Sequence, residues 1–206
     1  MMLRWQGMAL FALGGLAFAG LADETKSKTD PPGAPLEAVL RAKTAKYALD
    51  LGGKSAAEFR KQIESGGDNG NYPEAPKVDL VLELKNTGRE EVQVKVFGTE
   101  NIVELKLKGA GAITEQLKRR ITPKFRIAAK TMTLVPGKSV SIPITSLAFG
   151  LKGSHRAWWV EAGKYTLSAS YKTSVSPRPK DARDAGGGFG AVTVLSAPVT
   201  LEVEAK

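Results

Sequence analysis

Along most of this chain apolar residues fall on alternate positions in short runs, and turn residues separate the runs. Val78, Leu80, Leu82 and Leu84 alternate with Asp79, Val81, Glu83 and Lys85, and Asn86, Thr87 and Gly88 follow as a turn. Val92, Val94 and Val96 then make a return strand that ends at Gly98, and a third strand over 102–107 stops at Gly109, Ala110 and Gly111. Met132 and Leu134 lead into Pro136 and Gly137, a pair suited to a type II turn, and Val140, Ile142 and Ile144 follow on alternate positions. Residues 158–160, a turn over 161–163, and Tyr165, Leu167, Ala169 and Tyr171 predict a further hairpin. Val192, Val194, Val199, Leu201 and Val203 finish the chain. A period of two gives each strand one apolar face, and that face needs a second sheet to bury it. The pattern therefore predicts an all-β protein, an antiparallel β-sandwich.

Upstream the signal is mixed. Leu36, Ala38, Leu40 and Ala42 alternate as in a strand, while Leu36, Val39, Leu40 and Lys43 also line one face of a helix. Tyr47, Leu49 and Leu51 continue the alternation up to Gly52 and Gly53, which favours a strand. Ser55 and Glu58 have capping-box spacing, and Phe59, Gln62 and Ile63 share a helical face, so a short helix is expected over 55–64. Gly, Asp, Asn and Pro dominate 65–76, and 53–76 reads as a helix-plus-loop insertion in a single domain spanning 36–206. Lys, Thr, Asp and Pro without apolar pattern make 23–35 a disordered tether.

The first residues carry a different pattern. Arg4 precedes an apolar stretch over 8–18, and small residues at Ala17, Ala19, Gly20 and Ala22 precede Asp23 and Glu24. A basic head, an apolar stretch and a small-residue exit make 1–22 a secretory signal peptide, cleaved after Ala22 or after Ala19. The stretch falls short of the roughly 20 apolar residues that span a bilayer core, which disfavours a retained anchor. The expected product is exported to the periplasm or cell envelope, or beyond the cell, with no membrane anchor after cleavage.

Composition narrows the chemistry. The 206 residues contain no cysteine and one histidine, which excludes disulfides, thiolate zinc sites and cysteine nucleophiles. A His-bearing triad or a multi-His metal centre has almost nothing to draw on, so no enzyme, metal or cofactor is expected. His155, beside Ser154, reads as an exposed loop histidine. Gly52, Gly53, Lys54 and Ser55 resemble the end of a phosphate-binding loop, but Ala48 stands where its first glycine belongs, and a strand-to-helix turn capped by Ser55 is the better reading. Asp181 with Asp184, and Asp68 with Asn69 and Asn71, do not match a calcium loop and read as solvated acids.

Three features remain as candidates for recognition. The net charge is +9, and Lys118, Arg119, Arg120, Lys124, Arg126 and Lys130 stand in one stretch without an acid, a pattern able to hold a polyanion. Phe125 is its only aromatic, so nucleic acid is not the expected partner. Trp158 and Trp159 must point to opposite sides of a strand, and an outward Trp159 offers a stacking face or is covered by the loop that follows. That loop, 174–190, holds Pro177, Pro179 and the glycines around Phe189, and connections of this length are usually functional or disordered.

The turns carry a resemblance. Asn86-Thr87-Gly88 after an alternating strand, Leu134-Val135-Pro136-Gly137-Lys138-Ser139 before another, and Glu161-Ala162-Gly163-Lys164-Tyr165-Thr166-Leu167 near the end are similar to a recurring set in bacterial immunoglobulin-like β-sandwiches. Over roughly 36–206 the chain resembles the bacterial intracellular proteinase inhibitor family, and more closely exported bacterial proteins of unknown function. It departs from the inhibitor family in its signal peptide and its 53–76 insertion. The resemblance implies an immunoglobulin-like fold and transfers no functional residue. The expected function is a non-enzymatic binding or structural module of the cell envelope, with an envelope protein or anionic polymer as partner. The alternatives are an inhibitor presenting 174–190 and a polyanion-binding protein using 118–130.

Overall fold

A computed structural model describes residues 27–69, 71–117 and 126–206. The signal-peptide exit at Ala17, Ala19 and Ala22, and Lys118, Arg119, Arg120 and Lys124 of the basic run, lie outside the described residues. In chain order the elements are β1 (Lys28–Asp30), β2 (Leu36–Ala42), β3 (Lys46–Ala48), α1 (Ala56–Asn69), β4 (Lys77–Asn86), β5 (Val92–Val96), β6 (Ile102–Lys108) and β7 (Ala112–Gln116). They continue with β8 (Lys130–Leu134), β9 (Ser139–Ser146), β10 (Ala148–Phe149), β11 (His155–Trp159), β12 (Gly163–Ser176), β13 (Gly190–Leu195) and β14 (Val199–Glu204). The protein is mostly β, as the alternation predicts.

The strands form three sheets. β2, β4 and β9 make one, with β4 central, and β10, β11 and β7 make a second. The largest is organised by β12, which pairs along one edge with β13 and β14 and along the other with β6 and β5. β1 extends this sheet beyond β13, β3 beyond β14, and β8 beyond β5. The named strands pair antiparallel apart from β14 with β3. Leu36, Leu80, Leu82, Leu84 and Ile142 from one sheet share a single core with Val94, Leu105, Leu167, Tyr171, Val194 and Leu201 from the largest. At about 25 cal/mol per Å² of apolar surface removed from water, such contact is the main force ordering these strands.

Several expectations need correction. Residues 23–35 are not tether throughout, because Lys28–Asp30 pairs with β13, and the Ser27 hydroxyl donates to the Leu195 carbonyl at 2.8 Å. Polar composition gave no warning, since an edge strand satisfies its backbone on a neighbour without needing an apolar face. The 36–51 strand is divided: β2 joins one sheet, and β3 crosses to pair with β14. The helix begins as expected but runs to Asn69. Its extension is packed from outside, for Gly66 is buried and a Cβ there would stand 3.1 Å from the Tyr72 Cα. Neither expected hairpin forms. β4 and β5 belong to different sheets, and β11 pairs with β10 and β7 rather than with β12. Alternation fixes which face of a strand is buried but does not fix its partner.

Candidate functional site

Three segments meet where β5 turns into β6. Phe97 has a left-handed φ of 61°, and Asn101 braces the turn by accepting from the Gly98 amide at 2.8 Å and donating to the Lys95 carbonyl at 3.0 Å. Thr99 fastens the chain that leads into β8. Its amide donates to the Ile127 carbonyl at 2.9 Å, and its hydroxyl accepts from the Ile127 amide at 2.7 Å. Arg126 and Ile127 are thereby placed beside the turn, and Lys130 opens the adjoining strand. Phe97 and Ile127 are 44% and 66% exposed, unusual for large apolar side chains held on fixed backbone.

The third segment is the β12–β13 connection. β12 runs to Ser176 and β13 starts at Gly190, so the 174–190 loop contributes strand at both ends. Its remainder is ordered by backbone hydrogen bonds: Ala182 to Pro179 at 3.1 Å, Ala185 to Phe189 at 2.9 Å and Ala191 to Arg183 at 2.8 Å. The Asp184 carboxylate accepts from the Gly186 amide at 2.8 Å, and Arg178 stands 3.7 Å from the same carboxylate. Ala182 is buried and anchors the base. Gly186, Gly187 and Gly188 all have positive φ, which glycine adopts at no steric cost, and they form the exposed tip. Phe189 lies half-buried beneath Lys95, whose ammonium is 4.5 Å from the ring centre, a cation–π contact that joins this loop to the first segment.

Of the expected recognition residues, this end of the molecule collects Arg126, Lys130 and Phe189. Trp159 is not among them. It is 4% exposed, packs in the main core and lies 5.3 Å from the Tyr47 ring and 6.0 Å from that of Tyr165. Its neighbour Trp158 does point to the opposite side, but α1 covers it. Phe59, Ile63, Trp158 and Val160 form a second core, with Tyr72 stacked on Trp158 at 6.1 Å. The cover is the 53–76 insertion, not the 174–190 loop, and no tryptophan face is left open there.

A cleft of about 400 Å³ beside this second core is lined by Tyr47, Asp50, Phe59, Glu74, Trp158 and Trp159 among others. Several of its polar groups are occupied structurally. The Tyr47 hydroxyl donates to the Thr44 carbonyl at 2.7 Å and accepts from the Asp79 amide at 3.1 Å. Trp158 Nε1 donates to the Glu74 carbonyl at 3.2 Å. Asp50 accepts from the Gly52 amide at 3.0 Å and pairs with Lys206 at 3.3 Å, and these contacts, the amide first, hold its carboxyl below the usual range.

His155 is not on an exposed loop. It belongs to β11, is half-buried, and stacks on Phe149 with ring centres 5.5 Å apart. Ser154 Oγ lies 3.1 Å and Glu104 Oε2 4.0 Å from the same ring nitrogen, Nδ1. A proton relay needs the nucleophile on one nitrogen and the carboxylate on the other, so this is not triad geometry. Ser55 caps α1 as expected. Its amide and hydroxyl donate to Glu58 at 2.8 and 2.7 Å, and its oxygen accepts from the Glu58 amide at 3.3 Å. Among the described residues there is no group of three or more His, Asp or Glu able to hold a metal ion, and no helix long and apolar enough to cross a membrane. No known family model and no curated protein matches the chain.

Proposed function

We propose that the chain is an exported, non-enzymatic binding module of the bacterial cell envelope, built on an immunoglobulin-like β-sandwich. It engages a protein partner through the end of the domain where 97–101, 126–130 and 177–189 meet. The observation that carries this reading is the pair Phe97 and Ile127, exposed on hydrogen-bonded backbone beside an ordered loop. Rigid apolar side chains lose little entropy on binding, which makes them effective anchors. The immunoglobulin-like reading is supported by the Tyr165 hydroxyl, which donates to the Glu161 carbonyl four residues upstream at 2.7 Å, in the manner of a tyrosine corner. It is supported as well by the final strand β14 pairing in parallel with the early strand β3. Export rests on the order of residues over 1–22.

Photo-crosslinking in envelope extract tests the site. A crosslinker at 97 or 127 is expected to trap a protein species that one at Val39, on β2, does not trap. The same species from all three positions, or none from any, overturns the reading. An inhibitor presenting the 174–190 loop is the second reading, favoured by the bracing of that loop. The glycine tip offers no side chain to a protease pocket, so no inhibition is expected from a protease panel at micromolar protein, and inhibition would replace the first reading.

A further inference from the structure

β8 ends the largest sheet with an unguarded edge. It pairs with β5 on one side, and among the described residues no strand pairs with the other. Lys130, Thr131, Met132 and Thr133 are exposed in succession, on both faces of the strand. Val96 stands opposite Lys130, and the hydrogen bonds between Thr99 and Ile127 carry that register onward, so the edge extends from β8 back to Ile127. On such an edge every second residue turns its N–H and C=O away from the sheet, which is a template for another strand. Other edges of this molecule are blunted. β1 and β3 are three residues long, β6 meets Gly150, whose amide donates to the Val103 carbonyl at 2.8 Å, and β9 carries Pro143 in mid-strand. β8 has neither a proline nor a register shift against β5.

The side chains along this edge are self-complementary. Five large apolar residues are exposed among the described residues, and Ile127, Met132 and Val135 lie on this one stretch, with Phe97 on the turn beside it. Leu134 points into the core, so Met132 and Lys130 share its face, and Thr131 and Thr133 take the other. Ile127 stands four residues before Thr131 and Val135 four residues after it. A two-fold axis at Thr131 therefore sets Ile127 of each copy opposite Val135 of the other, and Lys130 opposite Met132. Charge selects the same direction. Arg126 and Lys130 stand at one end of the edge with Glu100 nearby in the turn, whereas Glu90 and Glu91 at the other end are balanced by Arg89 and Lys138. Antiparallel approach keeps the two cationic ends apart, and parallel approach would bring them together. Lys95, opposite Thr131, stays one strand back in each copy. Three strand spacings, about 14 Å, then separate the two ammonium groups, beyond the Debye length of about 8 Å at physiological salt.

We propose that a second copy of this chain adds antiparallel to β8 about a two-fold axis at Thr131, so that the largest sheet runs on through a homodimer. Backbone hydrogen bonds along the edge supply the attraction, as in other strand additions. Ile127 of each copy covers Val135 of the other, and the Lys130 stem lies along Met132 with its ammonium in water. The inference rests on the reading of this end as a protein-binding surface, and it names the occupant of its Ile127 side.

Sedimentation velocity on the purified full chain across the micromolar range tests it. The chain is expected to be monomeric at low micromolar protein and largely dimeric at about 100 μM, since one strand a side makes an interface at the small, weak end of the range. T131K sets two like charges directly opposite each other and is expected to weaken the dimer about tenfold or more. I127K is expected to weaken it severalfold. T114K, which adds the same charge at an exposed position on β7, is expected to leave it unchanged. Because the chain has no cysteine, T131C places one thiol at the axis. Mild oxidation is expected to give a disulfide dimer quickly, as directly opposed residues stand close to bridging reach. T133C is expected to remain unlinked, because its two copies are offset by four residues, about 14 Å along the strands. T131K loses the dimer and T131C locks it, so a misfolded variant cannot imitate both results. A chain that stays monomeric at every concentration overturns the proposal, and if crosslinkers at 97 and 127 still trap another protein in extract the wider reading stands without it. Equal weakening by T131K and T114K, or a T133C disulfide that forms as fast as that of T131C, also overturns it.

Discussion

Asn86 donates a hydrogen bond from Nδ2 to the carbonyl of Leu134, 2.8 Å away and 48 residues later in the chain. The same nitrogen donates to the Glu90 carbonyl at 2.8 Å, and Oδ1 accepts from the Gly88 amide at 2.8 Å. Its backbone is equally engaged, donating to Lys138 and accepting from Gly137, both at 2.9 Å. One fully buried side chain thus ties the exit of β4 to the turn after β8. Both connections carry the chain between sheets, so Asn86 holds the two crossovers in a fixed relation.

Asn86→Ala is therefore expected to destabilise the fold strongly. It removes three side-chain hydrogen bonds, one buried and two part-buried, and an unsatisfied buried group costs about 1–3 kcal/mol. A net loss of about 3 kcal/mol is expected, read as a shift of the urea midpoint at constant slope. Asn86→Asp should lose about as much, because it replaces a donor with a charge that faces two carbonyl oxygens. A loss under about 1 kcal/mol from either variant would mean that water replaces the side chain at this corner.

Asn86 also shows where sequence reading stops. As a polar residue at the end of an apolar run it is legible as a turn, and so is the Pro136-Gly137 turn, where Gly137 has φ of 78° and the Lys138 amide bonds the Val135 carbonyl at 3.0 Å. What is not legible is that the turns join different sheets, because alternation encodes a face and not a neighbour. The unbroken apolar run from Ala157 to Val160 did carry a usable sign: a strand apolar on both sides is covered on both, here by the core and by α1. At the loop end, Arg126, Lys130 and Phe189 could be picked out individually as surface candidates.

Gly111 is fixed by packing rather than by backbone conformation. A Cβ at this position would stand 2.7 Å from the Tyr165 hydroxyl and 2.8 Å from the Glu161 amide nitrogen. Gly111→Ala must push Tyr165 away from its bond to the Glu161 carbonyl, and overpacking of this kind costs about 1–3 kcal/mol. Tyr165→Phe removes the hydroxyl and its hydrogen bond, with an expected cost of about 1 kcal/mol. In the Phe background the alanine should cost less than in wild type, because the nearest clashing atom is gone. Thermal or urea unfolding of the double-mutant cycle measures that coupling, and additive losses would show that the two positions act independently.

The α1 cap is pH-dependent. The Ser55 side chain, followed by its backbone amide, holds the Glu58 carboxyl below the usual range. A carboxyl lowered in the folded state stabilises above its unfolded value, and that contribution is lost as pH falls through the folded value. Ser55→Ala breaks the reciprocal pair at any pH. Amide exchange in the first turns of α1 should then rise about fivefold, matching the ~1 kcal/mol typical of a lost N-cap, while β4 amides stay unchanged. Lowering the pH should bring the wild type toward the variant in α1 alone. Equal acceleration in β4 would mean that the insertion unfolds together with the sandwich.

Tyr171 sets an alkaline limit. Burial pushes its hydroxyl up to about 12, with the backbone of Phe97 opposing that rise. The unfolded chain releases this proton near its ordinary value of about 10, so between about 10 and 12 the unfolded state binds fewer protons than the native one. Stability must fall with rising pH across that window and be fully present below it. At 1.36 kcal/mol per pH unit, a separation of about two units amounts to about 2 kcal/mol lost by pH 12, where the folded group is half ionised. Tyr171→Phe cannot ionise, so its stability should fall less steeply over the same range, even if the variant is less stable at neutral pH. Urea unfolding at half-unit steps from pH 9 to 11.5, with tyrosinate absorbance followed in parallel, measures both slopes. Equal slopes for the two proteins would show that Tyr171 titrates as freely in the folded state as in the unfolded one, and that the alkaline loss arises from the lysines.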